Sequence, residues 1–467
     1  MKKLVSILMA IMMIAMVGAA FATSADDTYS GSNNTNAISV AGTTSIPLTK
    51  GIVFFNANGS SVYEPNVTFS YVVAPATIAA NGSNATVTDD ASTHNPAGAV
   101  TRNVYLGPTG GVTGTTISFA ANTTNGTHAA TATGTEVERS GNLSLDITKF
   151  SKPGIYRYLI TESVTNPSSG SDDSANLQAA GLKERDSGYD NTRYLDVYIR
   201  NKSDGSGLEM YGAVIFKTTA ASGSEGKDSI TTSTKKTTGF EPNPTGDNSI
   251  TYANDPNVDK YYTYDFTVKK TVSGSMADTK HEFPFYVAVS NSINNAMFTY
   301  TADGSETFTG ANVASGVVTL TAANFSIGSD ANTSNLKLKN NDTIVLVGLP
   351  SSQTTDLAVV IKEFNDTYDQ YTASTTAVST TQLTIAKTND STGTTGVMTA
   401  STGSVETASF NVKTNDVAAQ ILTINNNLTE ISPTGYVSRF APYALILVAG
   451  IVLLIVAKKR KPHKDEE

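Results

Sequence analysis

The apolar residues of this 467-residue chain come in short alternating runs, and that pattern constrains the fold more than any other feature. Stretches such as Ser45–Phe54, Ile155–Glu162, Tyr264–Lys270, Leu357–Glu363 and Leu422–Asn426 place every second residue on one face. That is the period of a β-strand. Thr-, Ser-, Asn-, Gly- and Ala-rich segments separate the runs, and no long amphipathic helix is visible between the two ends. An all-β chain with long polar connections is expected, long enough for two or more domains with cores of their own. Cys is absent, so disulfides are excluded and any covalent reinforcement needs another chemistry. The formal charge of −9 argues against nucleic acid as a partner. His94, His128, His281 and His463 lack metal-ligand spacing, and Gly226-Lys227 lacks the rest of a phosphate loop. No metal, no cofactor and no enzyme with turnover are therefore expected.

Both ends carry processing signals. Lys2-Lys3, the apolar stretch Leu4–Ala20 and Ala20-Phe21-Ala22 read as a secretory signal peptide over residues 1–22. Cleavage there starts the mature chain at Thr23; cleavage after Ala25 is the alternative. At the other end, Ile431-Ser432-Pro433-Thr434-Gly435 is followed by an uncharged run from Phe440 to Ala457 and by Lys458-Lys459-Arg460-Lys461. As a helix, 440–457 would span roughly 27 Å, near the thickness of a bilayer's hydrocarbon core, with the basic cluster on the cytoplasmic side. The order of parts over 431–467 resembles a Gram-positive cell-wall sorting signal. That resemblance implies export, a transient membrane span, cleavage between Thr434 and Gly435 by a sortase, and anchoring to peptidoglycan.

Within the strands, three residues sit awkwardly. Lys50 shares a face with Ile46, Leu48, Ile52 and Phe54; Glu162 with Tyr156, Tyr158 and Ile160; Asn254 with Ile250 and Tyr252. The order repeats. Lys270 lies with Phe266 and Val268, Glu363 with Leu357, Val359 and Ile361, and Asn426 with Leu422 and Ile424. A bulge would substitute Asn425 or Asn427 for Asn426. Taken singly, each of these residues could end its strand and reach solvent, because burying a lone charge is costly. Taken together, they form two sets able to make a side-chain amide. A desolvated lysine loses its proton and becomes a nucleophile, a buried Glu holds a proton it can shuttle, and a carboxamide can lose ammonia. Lys50–Asn254 and Lys270–Asn426 are thus candidate isopeptide cross-links, with Glu162 and Glu363 as the proton-handling residues of a single-turnover reaction.

Those sets, with Pro153-Gly154-Ile155-Tyr156, Val268-Lys269-Lys270-Thr271-Val272-Ser273-Gly274 and Gly348-Leu349-Pro350, resemble the two-domain major pilins of streptococcal pili. The resemblance implies two tandem immunoglobulin-like sandwiches of the collagen-adhesin B type, over residues 36–254 and 255–430. It also implies a pilus shaft built from copies of the chain and minor pilins, with Thr434 joined to a lysine of the next subunit. Candidate acceptors are Lys235 and Lys236, then Lys227 and Lys217; none stands at the family's distance before Asn254. The segments Ala79–Gly134 and Thr218–Asp247 are long insertions, expected to be exposed loops with little core. A monomeric wall-anchored adhesin, binding a host ligand through those loops, is the alternative.

Overall fold

The structure, a computed structural model, describes residues 42–76, 86–88, 101–168, 172–217, 236–242, 251–290, 293, 296–302, 315–319, 325–329, 334–351, 357–364, 371–378, 383–386, 397–398, 405–412, 420–429 and 434–459. The chain is all-β in its body, as its alternating runs require. In the first half, β1 (Ser45–Phe55) pairs antiparallel with Thr135–Leu145 along its whole length. A second sheet faces it, built from β2 (Val67–Pro75), β3 (Gly154–Asn166), β4 (Thr192–Asn201) and β5 (Leu208–Lys217). The inward residues of both sheets, among them Ile46, Leu48, Phe69, Tyr158, Leu195 and Ile215, form one core. This is a sandwich held by apolar burial.

The second half repeats the plan. One sheet places β6 (Asp259–Ser273) between β8 (Thr343–Pro350) and β10 (Gln420–Asn427), and the facing sheet centres on β7 (Phe283–Ser290) and β9 (Leu357–Glu363). Phe266, Val268, Phe285, Val287, Leu346 and Ile361 are at its centre.

The halves meet inside a single strand. The start of β6 completes the first sandwich: Asp259 to Tyr262 pair in parallel with Ile52 to Phe55 of β1. The next residue, Thr263, already pairs with Pro350 of the second. The expected division at 254/255 therefore lies earlier than the strand that both sandwiches use. A buried carboxylate, Asp265, fastens the same place. It accepts from Asn56 Nδ2 (3.1 Å), Asn58 Nδ2 (2.9 Å), Ser60 Oγ (2.5 Å) and the Gly348 backbone N–H (3.0 Å).

Other expectations are also revised. Residues 251–258 form turns rather than the anticipated strand, because Pro256 and the Asn/Asp residues around it favour turn geometry. Residues 101–134 are not an exposed loop. They supply strands at Thr101–Leu106, Val112–Thr113, Thr115–Phe119 and Thr127–Ala129, and bury Val104, Val112, Ile117, Phe119 and Ala130. Their apolar residues are too sparse among Thr and Gly to register as runs. Within 218–247, Gly239–Phe240 pairs in parallel with β1 and Phe240 is buried.

The C-terminal segment is a helix, Thr434–Lys459. Its side chains are described over 443–456, where Leu445, Leu447, Leu453 and Leu454 are exposed. Among the described residues no helix is long and apolar enough to cross a membrane. Thr434 and Gly435 open this helix, whereas residues 1–22, Ile431, Ser432, Pro433, Lys227 and Lys235 lie outside the described residues. Lys217 ends β5 and Lys236 begins the short strand beside it, with their side chains outside the described set.

Candidate functional site

The second sandwich brings Lys270, Glu363 and Asn426 together. Lys270 projects inward because β6 alternates strictly after Phe266, and it lies parallel to β10, opposite Ile424. Asn426 sits on the same sheet, paired with Val272, two residues after the lysine. Glu363 comes from the opposing sheet, opposite Phe285. All three side chains are buried. Lys270 Nζ lies 3.2 Å from Glu363 Oε2 and 3.4 Å from Oε1, and Asn426 Nδ2 donates to Glu363 Oε1 at 2.5 Å. One carboxylate thus holds both an amine and a carboxamide. The lysine tip rests 4.1 Å from the centre of the Phe283 ring, and Asn426 Oδ1 is buried without a hydrogen-bond partner. Asn425 instead turns to Thr271 and Ser273, so the register selects the middle asparagine.

The first sandwich carries the same framework with a different third member. Lys50 and Glu162 are buried and 3.3 Å apart, and Lys50 Nζ lies 4.4 Å from the centre of the Phe69 ring. Glu162 is opposite Tyr71, two residues beyond Phe69; Glu363 is opposite Phe285, two residues beyond Phe283. The position equivalent to Asn426 is the one paired with Ile52, two residues after Lys50, and Asp259 occupies it. Lys50 Nζ approaches Asp259 Oδ2 to 2.5 Å. Asn254 is not brought to this site: it lies exposed in the turn before β6. The expectation of Asn254 as the partner is corrected to Asp259.

Three further groups close the first site. Arg185, from the loop after the short helix Asp173–Ala179, donates to Glu162 Oε1 (2.5 Å) and to both oxygens of Asp259 (2.9 and 3.0 Å). It also reaches Asp173 at 2.9 Å. Tyr189 OH donates to Glu162 Oε1 at 2.7 Å and receives Lys50 Nζ at 2.9 Å; Tyr71 OH donates to Glu162 Oε2 at 2.8 Å. Burial works to raise the Asp259 carboxyl, but the Arg185 guanidinium and the Lys50 amine outweigh it and hold the group well below the ordinary carboxylate range. Burial pushes the Tyr189 and Tyr71 hydroxyls well above their usual range, and the carboxylates facing them add to it. Both phenols therefore remain donors. Asp259 had a signal in the sequence, since it alternates with Tyr261 on one face of a strand. Arg185 and Tyr189 had none, because a loop supplies them.

A family model described as a domain of unknown function (DUF7601) matches residues 264–416. No curated protein matches. Among solved structures, the chain is similar to the major pilin from Streptococcus pyogenes at 15% identity, covering 82% of this chain and 99% of that one, with a TM-score of 0.41. It is also similar to the major pilin T3.2 from S. pyogenes at 16% identity, 82% and 98% coverage and a TM-score of 0.35. A pilus-presented adhesin matches at 10% identity, 82% and 99% coverage and a TM-score of 0.21.

Proposed function

We propose that this chain is a structural subunit of a sortase-assembled, covalently polymerised pilus on a bacterial surface, its second sandwich closed by a Lys270–Asn426 isopeptide bond. The observation that carries the reading is the Glu363 carboxylate shared, inside an apolar core, by the Lys270 amine and the Asn426 carboxamide. Transfer of one proton from Lys270 to Glu363 removes both charges, which the dry surroundings favour. The neutral amine attacks Asn426 Cγ, and the Cγ–Nδ2 bond breaks. Glu363 passes its proton to the leaving nitrogen and the amine's second proton follows, so the nitrogen departs as ammonium and an amide remains. The bond joins the first strand of the sandwich to its last, so tension along the chain loads a covalent link rather than a peeling ladder. A subunit under axial load in a disulfide-free chain has use for that link.

The exported, anchored state rests on the signal peptide and on the resemblance of residues 431–467 to a sorting signal. In this reading sortase joins Thr434 to a lysine of the next subunit, with Lys235 and Lys236 the leading acceptors. The final chain is transferred to peptidoglycan. A denaturing gel blot of wall-digested cells tests it. A ladder rising from the monomer, lost when the sortase is removed, is expected. A single wall-released band would replace the pilus with a monomeric anchored adhesin.

A further inference from the structure

We propose that Arg185 is a positioning residue that keeps the first sandwich from cross-linking, so that Lys50 and Asp259 remain an ion pair while the second sandwich closes covalently. The two sites share one framework and differ in charge. In the second, an amine, a carboxylate and a neutral acyl group meet, and one proton transfer yields the reactive state. In the first, the acyl group is itself a carboxylate, and the Arg185 guanidinium is clamped on both its oxygens at 2.9 and 3.0 Å. A bidentate guanidinium holds its carboxylate ionised, and an ionised carboxylate is a poor electrophile for an amine. Lys50, Arg185, Glu162 and Asp259 balance as two cations and two anions, so the buried set has no need of a further proton. No arginine occurs between Arg200 and Arg439, so the second sandwich itself supplies no guanidinium to the Lys270 site.

Removing Arg185 upsets the balance. One cation then faces two carboxylates, burial favours uptake of a proton by one of them, and Asp259 can become a neutral acid beside a Lys–Glu pair. That is the charge pattern of the second site. Condensation forms the Lys50 Nζ–Asp259 Cγ bond and breaks the bond from Cγ to the hydroxyl: one proton of the Lys50 ammonium passes to Glu162, a second leaves with the hydroxyl as water, and the third stays on the amide nitrogen. The inference rests on the reading that a lysine, a glutamate and a neutral acyl group condense in this framework, and the Lys270–Asn426 peptide reports on that reading in the same sample.

The experiment is intact mass and peptide mapping of the purified mature chain, wild type and Arg185→Met, with Arg185→Gln as a variant that retains polar contacts. Expected are wild-type protein without a Lys50–Asp259 peptide, and folded variants lighter by one additional water that maps to Lys50 and Asp259. A Lys50–Asp259 peptide in the wild type overturns the proposal, and so does a folded variant that keeps both side chains free while Lys270–Asn426 is linked. Absence of the Lys270–Asn426 peptide counts against the underlying reading and not against Arg185, whose role is then judged by whether the variants gain the Lys50 link. Should neither variant fold, the wild-type map decides alone: a free Lys50 supports the proposal and a linked one ends it.

Discussion

The Asn56 side-chain amide donates to Asp265 Oδ1 at 3.1 Å, joining the strand that opens the first sandwich to the strand that opens the second. Asn58, Ser60 and the Gly348 N–H converge on the same carboxylate. Two domains that share one strand and one buried acceptor are expected to behave as a stiff unit. Asp265→Ala removes the acceptor of the Asn56 amide and the Gly348 N–H, which are buried where water has little access. It is expected to lower stability by about 3 kcal/mol, read from the midpoint of urea unfolding. It should also broaden the distribution of interdomain distances seen by scattering. An unchanged midpoint would mean that solvent already serves these donors.

Glu363→Gln keeps the contacts to Lys270 and Asn426 but cannot carry the proton. Wild-type protein is expected to fall short of its calculated mass by one ammonia from the second sandwich, and Glu363→Gln to show no deficit there. Loss of the closed loop should cost on the order of 5 kcal/mol by the entropy of the unfolded chain, measurable by denaturant unfolding. A wild-type chain of full mass would end the isopeptide proposal.

Asn254→Ala separates the structure from the sequence expectation. An exposed turn residue remote from Lys50 is expected to change stability by no more than ~0.5 kcal/mol and to leave the mass unaltered. A restored ammonia in this variant would return Asn254 to the first site.

Arg157 and Asp196 pair across adjacent strands of the first sandwich at 2.8 Å, 4% and 1% exposed, with the guanidinium against the Tyr194 and Phe216 rings. Asp196→Ala takes the carboxylate away from that buried cation, at an expected cost of about 3–5 kcal/mol. Thermal unfolding checks it, and a shift no larger than that of an exposed substitution would refute it.

Glu136 gives the first sandwich a pH dependence. Burial, then the nearby Glu138 and Glu241, push its carboxyl from 4.5 up to about 8. Folding raises this pKa, so the group's contribution is fully present below the unfolded value. It is lost as pH rises through the folded one. Stability is therefore expected to decline between about 4.5 and 8, and Glu136→Gln to flatten the decline. Parallel curves for the two proteins in that window would show that Glu136 titrates normally.

Much of the fold was legible because strands alternate. Phe266, Val268 and Lys270, or Leu422, Ile424 and Asn426, are placed on one buried face by period alone. The repeated Lys and Glu positions followed from the same rule, since a charged residue among inward apolar ones is visible without knowing the fold. What the sequence could not rank was register and long-range pairing. Asn254 and Asp259 are both polar residues near the end of the first half. Only the parallel pairing of Ile52 with Asp259 decides which of them faces Lys50. The strands within 101–134 were hidden by Thr and Gly, whose strand propensity depends on the partner they pack against.

The sequence by itself determined an all-β body, the inward side chains and the absence of disulfides, because these depend on local period and composition. The tertiary structure decided that one strand, Asp259–Ser273, serves both sandwiches, that Asp265 fastens their junction, and that Asp259 with Arg185 fills the first site. Those outcomes depend on contacts between residues far apart in the chain. Close packing and the need to satisfy every buried charge select them.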